Sequence, residues 1–573
     1  MLELLGAFGG ILWGPWTFFA LMGAGLLYTF TTRFSQWVAL VHGSRVVLGH
    51  YDKASDAGSL SHFQALSTAL SGTVGLGNIG GVALAIGIGG PGALFWMWVT
   101  GFLGMAIKSV EVTLALMYRN EDNKNDTSGG AMWVASRIGK ELGGFWKPLG
   151  QGLAGFFCVT LLISAITGGN IFQAWNVSEI MQANFGIPQL YTSVTIAVVV
   201  GMVIIGGINR IGQVAGLLVP FMVIAYILGC FGVLIAFASE IPAAISLVIT
   251  SAFSPNEAAG AFVGAGAYYG FEVGLKRALF SCEAGQGSAP IAHAAARTAY
   301  PAREGVVGGL EPFIDTLIIC TLTAMVILVT GTWDREGLGE LPDGVELVMD
   351  HVSETTTVVI GPSTAANEMP PPAPGRAWRA GDSIFAIAEH AGEPGVNTGT
   401  ARMRLRGTVE RASGDGEYPS AALVVNWQSS TLPDGVSEVR LVDRQIYRDL
   451  DGAPLTSVAF DRAFPGLGMV LVTLACILFA VSTMISWSYY GDQGIIYLLG
   501  PRFVLPYRLL YLSFAAIAPV AAYNRAALET IIDLGTGLML WANLPIMLLF
   551  GFRAVRNMNG YVDQWRRGEF DTR

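Results

Sequence analysis

Eleven consecutive residues, Ser71-Gly72-Thr73-Val74-Gly75-Leu76-Gly77-Asn78-Ile79-Gly80-Gly81, place two hydroxyls and an amide among five glycines in the middle of an apolar stretch. Such a run either packs helices closely through small residues or unwinds. In lipid an unwound backbone survives only where its bare carbonyls and amides line a cavity. Ser, Thr and Asn among the glycines favour unwinding. A second run, Gly260-Ala261-Phe262-Val263-Gly264-Ala265-Gly266-Ala267-Tyr268-Tyr269-Gly270, has the same character. A third stretch, Phe479-Ala480-Val481-Ser482-Thr483-Met484-Ile485-Ser486-Trp487, carries adjacent hydroxyls at Ser482 and Thr483. Two such hard oxygens, added to backbone carbonyls, suit Na⁺ without burying a full negative charge. They can equally bond their own i−4 carbonyls.

Ionisable side chains at membrane depth cost about 3 kcal/mol or more and invite a role. Lys108 and Glu111 stand three apart and can pair on one helix face. Glu283, Asp315 and Glu272 are candidates for an inner gate. His293 stands alone, with no cysteine or carboxylate at ligand spacing, and reads as structural.

Long apolar elements must position these groups. The chain has 573 residues, 52% hydrophobic and 13% charged, roughly half the charged share of a soluble protein. Eleven segments are long enough to span a bilayer: 7–30, 62–87, 91–118, 149–170, 189–208, 212–238, 257–279, 304–330, 464–490, 506–523 and 529–551. The first lacks the basic start and small-residue cleavage site of a signal peptide. The two Gly-rich runs fall in the second and seventh spans, five apart, and so cross in opposite directions. Interrupted helices at matching positions of two halves point to an inverted-repeat carrier, with spans two to six and seven to eleven as the halves.

Charge divides the chain. Residues 332–455 hold 19 acidic residues and 10 arginines, while the remainder is neutral overall. Of the 23 Lys and Arg outside that stretch, 20 fall in loops of one side. By the positive-inside rule that side is cytoplasmic, with the C-terminus inside and the N-terminus and residues 332–455 outside the plasma membrane. The insert opens on a proline-rich linker, Met369 to Gly375, and continues in alternating stretches such as Ala401 to Val409 and Ala421 to Trp427. It reads as a small β-rich domain. The expected division is 1–331, 332–455 and 456–573. A net charge of −9 argues against nucleic acid as a partner. The five cysteines lie in apolar stretches without CxxC spacing, which argues against a disulfide scaffold or a zinc site. No Ser-His-Asp set, HExxH or phosphate loop marks an enzyme.

At these residues the sequence resembles the alanine or glycine:cation symporter family of sodium-coupled amino-acid carriers. The most specific stretches are Ser71 to Val82, Gly89 to Trp98, Gly206 to Ile211, Leu218 to Met222 and Phe280 to Ala296. Phe313 to Thr316 with Cys320 to Ala324, and Trp487 to Gly491, complete them. The insert lies outside the likeness. The resemblance implies an all-α polytopic membrane protein of the leucine-transporter fold, moving small neutral amino acids on Na⁺ or, less often, H⁺. It implies a sodium site of the Ser71, Val74 and Phe479 carbonyls with the Ser482 and Thr483 hydroxyls. Substrate would meet Thr73, Gly75, Gly77, Asn78, Gln173, Gly264, Thr483 and Trp487, its carboxylate facing the Gly75 to Asn78 amides and Trp487 limiting its size. No cofactor is implied beyond the coupling ion, and no oligomeric state is read from the sequence. The alternatives are a carrier for another substrate, or a membrane sensor whose insert binds ligand.

Overall fold

A computed structural model describes residues 2–53, 55–121, 127–253, 267–333, 337, 339–341, 345–352, 355–361, 378, 382–391, 400–411, 423–432, 438–450, 452–522 and 525–570. Among these, seven helices are long and apolar enough to cross a membrane. They include Gly92–Met117, Gly207–Ala236, Pro301–Val329 and Gly468–Leu499. An eighth span results if the bent pair His62–Thr73 and Gly77–Gly87 counts as one. Of the remaining expected spans, one meets the shorter helix Gln189–Ile204. Another meets Val504–Ala516 with Ala518–Ala521. The last coincides with Ala267–Cys282; residues 254–266 before it, Gly264 included, lie outside the described residues.

The second span breaks where the glycines predict. Its first arm starts on a capping box, in which Ser61 Oγ accepts from Gln64 N and Gln64 Oε1 from Ser61 N. That reciprocal pair satisfies two of the orphan N–H groups at a helix start. Helix His62–Thr73 ends at Val74, whose ψ of 91° turns the chain extended. The chain rejoins in π-helical turns at Gly77–Gly81 and helix Val82–Gly89, bent 54° from the first arm.

Strands fill the described part of 339–448. One antiparallel sheet runs in the order Gly339–Glu340, Gln445–Arg448, Ser383–Ala391, Thr400–Arg411, Leu423–Trp427, with Val439–Leu441 also on Ser383–Ala391. A smaller one joins Leu347–Val352, Thr355–Ile360 and Ser430–Thr431. Alternation sends Ile384, Ala386 and Ala388 to a core with Leu405, Val409 and Trp427, and Phe385 and Ile387 to the other face with Tyr447.

That second face touches the membrane part. Arg404 lies over the Phe385 ring at 4.5 Å and pairs with Asp449 at 2.9 Å. Its Nη2 donates to the Gly87 carbonyl at 2.7 Å, on the last turn of helix Val82–Gly89. The other end of this second arm is held by helix Ala453–Ala463, where Thr456 Oγ1 donates to Ile79 O at 3.2 Å. Arg404→Ala removes a charged hydrogen bond, a loss of about 1–3 kcal/mol. It is expected to speed protease nicking within 332–455 several-fold with no change in the melting of the membrane part; unchanged nicking would show that Arg404 does not anchor the sheet.

Candidate functional site

The break frees oxygens that a helix would use. In an unbroken helix Gly75 N–H would serve the Ser71 carbonyl. It goes instead to Asn78 Oδ1, 2.8 Å away. Helix Gly468–Leu499 lies across this gap. Ser71 Oγ donates to the Ser482 carbonyl at 2.6 Å, and Ser482 Oγ to the Phe479 carbonyl at 2.9 Å, with the Ser71 carbonyl 3.5 Å away. Gly75 is tight against the same helix: a Cβ there would stand 2.7 Å from Thr483 Oγ1. Ser71, Val74, Phe479, Ser482 and Thr483 are all buried, and the Ser71 and Phe479 carbonyls meet at the Ser482 hydroxyl, close to where Gly75 touches Thr483 Oγ1. A cation of Na⁺ size needs such a set of neutral oxygens.

Beside it lies a cavity. Thr73, Gly75, Gly77, Gln173, Thr483 and Trp487 from the sequence reading line it. Ser164, Glu283, Gln286 and Thr536 add polar groups, and Phe280 an apolar wall. Trp487 packs directly against Gly169, where an added Cβ would clash with the indole, so the ring bounds the cavity on that side. Three of the lining polar atoms, Ser164 Oγ, Gln173 Oε1 and Thr483 Oγ1, are buried and have no hydrogen-bond partner among the described residues. A buried polar atom left unpaired costs about 1–3 kcal/mol. Three around one space mark a place for a polar ligand.

Some expectations change. Asn78 does not line the cavity. Besides accepting from Gly75 N, it donates through Nδ2 to Asp315 Oδ1 at 2.5 Å and Ser281 Oγ at 3.0 Å. Its own N–H goes to the Gly75 carbonyl. The Gly75 and Asn78 amides are thus spent within the break, which leaves those of Leu76 and Gly77. Asp315, expected at an inner gate, anchors the break with Ser281 and Thr316. Lys108 pairs with Glu311 at 3.4 Å rather than with Glu111. The Glu111 oxygens accept Gly285 N, Gly287 N and Asn543 Nδ2 at 3.3, 2.7 and 2.6 Å. His293 is bonded to Glu304 at 2.6 Å. Ser164, Gln286 and Thr536 escaped sequence reasoning, because single polar residues in apolar stretches give no signal of which way they face.

A model of the sodium:alanine symporter family matches residues 1–363 and 436–572. The chain belongs to that family. It is therefore a transporter and a multi-pass membrane protein, not an enzyme. The unmatched stretch, 364–435, contains strands Ser383–Ala391, Thr400–Arg411 and Leu423–Trp427. Among relatives, the sodium/alanine symporter AgcS of Methanococcus maripaludis is 30% identical over 90% of this chain and 87% of its own. The sodium/proton-dependent alanine carrier protein of Bacillus sp. (strain PS3) is 27% identical over 90% and 91%. The probable sodium/glutamine symporter GlnT of Bacillus subtilis is 32% identical over 59% and 67%.

Proposed function

We propose that this member of the sodium:alanine symporter family carries small neutral amino acids, alanine or glycine, into the cell together with Na⁺. The observation that carries this reading is the cavity at the broken helix, with Ser164 Oγ, Gln173 Oε1 and Thr483 Oγ1 buried and unpartnered around it. A zwitterion supplies the missing partners. Its carboxylate would meet the Leu76 and Gly77 amides and the Thr73 and Thr483 hydroxyls, and its ammonium Gln173 and Glu283. Trp487, packed against Gly169, would limit the side chain. Na⁺ would sit between the Ser71, Val74 and Phe479 carbonyls and the Ser482 and Thr483 hydroxyls, which favours the open state that admits substrate. Asn78 shapes the break in this scheme rather than touching substrate.

The same reading takes the chain as eleven spans in two inverted five-helix repeats after a first added span. The division is 1–331, 332–455 and 456–573, with the N-terminus and insert outside the plasma membrane and the C-terminus in the cytoplasm. The interrupted second span and the helix Ala267–Cys282 five spans on support the repeat. The names of the Methanococcus and PS3 relatives support alanine as substrate.

The test is uptake by the full chain in liposomes. Labelled alanine is expected to accumulate at least tenfold faster under an inward Na⁺ gradient than in Na⁺-free medium at the same pH. Equal uptake without Na⁺ would refute sodium coupling. A panel in which only glutamine is taken up would replace the substrate class.

A further inference from the structure

Ionisable side chains line up from the protein interior to the surface. Lys108 Nζ, fully buried, is 3.4 Å from Glu311 Oε1, and Glu311 Oε2 is 3.7 Å from His293 Nε2. His293 Nδ1 is 2.6 Å from Glu304 Oε1, while the second oxygen of Glu304 bonds His62 Nδ1. His62 Nε2 then faces Asp52 Oδ1 at 3.8 Å, and the Asp52 side chain is 40% exposed. One loop, at Asp52, and four helices, His62–Thr73, Gly92–Met117, Ala289–His293 and Pro301–Val329, supply this row.

Two features set it apart from an ordinary ion-pair cluster. Each imidazole holds Glu304 through Nδ1 and turns Nε2 towards a second carboxylate. The four atoms at the two wider gaps, His62 Nε2, Asp52 Oδ1, His293 Nε2 and Glu311 Oε2, are buried without a hydrogen-bond partner among the described residues. A purely structural cluster at this depth pairs its polar atoms, because leaving them unpaired is costly. Gaps of 3.7 and 3.8 Å close with a small side-chain shift or one bridging water. An imidazole is the side chain suited to such a place, since it can take a proton on one nitrogen and release the one on the other.

We propose that Asp52, His62, Glu304, His293 and Glu311 form a proton relay between the surface and the buried Lys108. A proton passed from Asp52 to His62 Nε2 releases the Nδ1 proton to Glu304. Glu304 hands a proton to His293 Nδ1, and His293 releases one from Nε2 to Glu311. One proton enters and one leaves each ring, which is left as its other tautomer; a reorientation that brings the protonated nitrogen to the opposite carboxylate readies it for the next proton. Protonation of Glu311 weakens its attraction for Lys108, whose charge also acts on Glu111 and on the cavity residue Glu283. The other charged groups around the row are Asp315, Arg119 on the Ala294 and Ala296 carbonyls, and Arg303 against Tyr51 and Tyr561. The relay itself rests on geometry; that its protons accompany substrate rests on the symport reading above.

The full chain in liposomes holding a pH-sensitive dye tests it, with H⁺ entry driven by a K⁺ diffusion potential, first alone and then with Na⁺ and alanine outside. Wild-type protein is expected to admit H⁺ several-fold faster than protein-free liposomes in at least one condition. Glu304→Gln should lower that rate at least tenfold, and Asp52→Asn about threefold, while the Na⁺-dependent thermal stability of both stays as in wild type. Wild-type entry no faster than protein-free liposomes in both conditions overturns the relay, as does a Glu304→Gln rate equal to wild type. If Glu304→Gln does not fold, Asp52→Asn at the surface decides, and an unchanged rate in it overturns the relay. Failure of the symport reading shows separately, as absent alanine uptake in the same liposomes while potential-driven H⁺ entry still reports on the relay.

Discussion

Ser482→Ala/Thr483→Ala is expected to raise the Na⁺ concentration for half-maximal alanine uptake by thirtyfold or more. Ser482 Oγ lies between the Phe479 and Ser71 carbonyls. Thr483 Oγ1 is buried, unpartnered, and closed in by Gly75. Each hydroxyl is worth roughly 1–1.5 kcal/mol as a ligand, so the pair gives about 2–3 kcal/mol, a factor of thirty to over a hundred in affinity. Ser486→Ala provides the contrast. Its hydroxyl bonds the Thr68 carbonyl at 2.8 Å and joins the same two helices, but outside the proposed ligand set. It should lower thermal stability slightly and leave Na⁺ dependence alone. An equal loss of Na⁺ affinity in Ser486→Ala would mean that helix packing, not ligation, governs the response.

The second large effect is on stability. Glu111→Ala is expected to cost about 3–5 kcal/mol, as breaking a buried charged network does. The Glu111 carboxylate gathers the Gly285 and Gly287 amides and the Asn543 side chain. The turn it closes is strained in sequence terms: Glu283 has a φ of 51°, and Gly285 and Gly287 have φ of 83° and 84°. Only glycine enters that region freely, and a Cβ at Gly287 would also meet Phe157 at 2.7 Å. Glu111→Gln keeps the shape but turns an NH₂ towards a backbone donor, so it should recover only part of the loss. Melting curves in detergent, read beside Lys108→Met, check the account. If Glu111→Gln melts like wild type, the carboxylate is not the cap of this turn.

Both predictions rest on features of different legibility. The break was open to reading because helix breakers are local: glycines with Ser, Thr and Asn inside one apolar span announce a backbone that leaves its helix, and Val74 does so. Ser482 and Thr483 stood out as adjacent hydroxyls, but only the crossing of helix Gly468–Leu499 against His62–Thr73 brings Ser71 within 2.6 Å of the Ser482 carbonyl. Asn78 shows the limit. Its type and position suited a substrate ligand, yet its side chain ties Gly75 to Asp315 instead. Lys108 and Glu111 failed similarly. Spacing of three permits a pair, but Glu111 found two amides in a turn about 175 residues away along the chain, and Lys108 found Glu311.

By itself the sequence determined that the chain lives in a membrane, that the helix carrying Ser71 to Gly81 breaks, and that residues 332–455 are acidic. These follow from composition, periodicity and breakers, all of which act within a single element. Tertiary structure alone decided which buried groups meet: the cavity wall of Ser164, Glu283, Gln286 and Thr536, the row from Lys108 to Asp52, and the seat of Arg404 on Gly87. The reason is physical. In a low-dielectric interior a polar group takes whichever partner the helix crossings bring within about 3 Å, and those crossings join residues hundreds of positions apart.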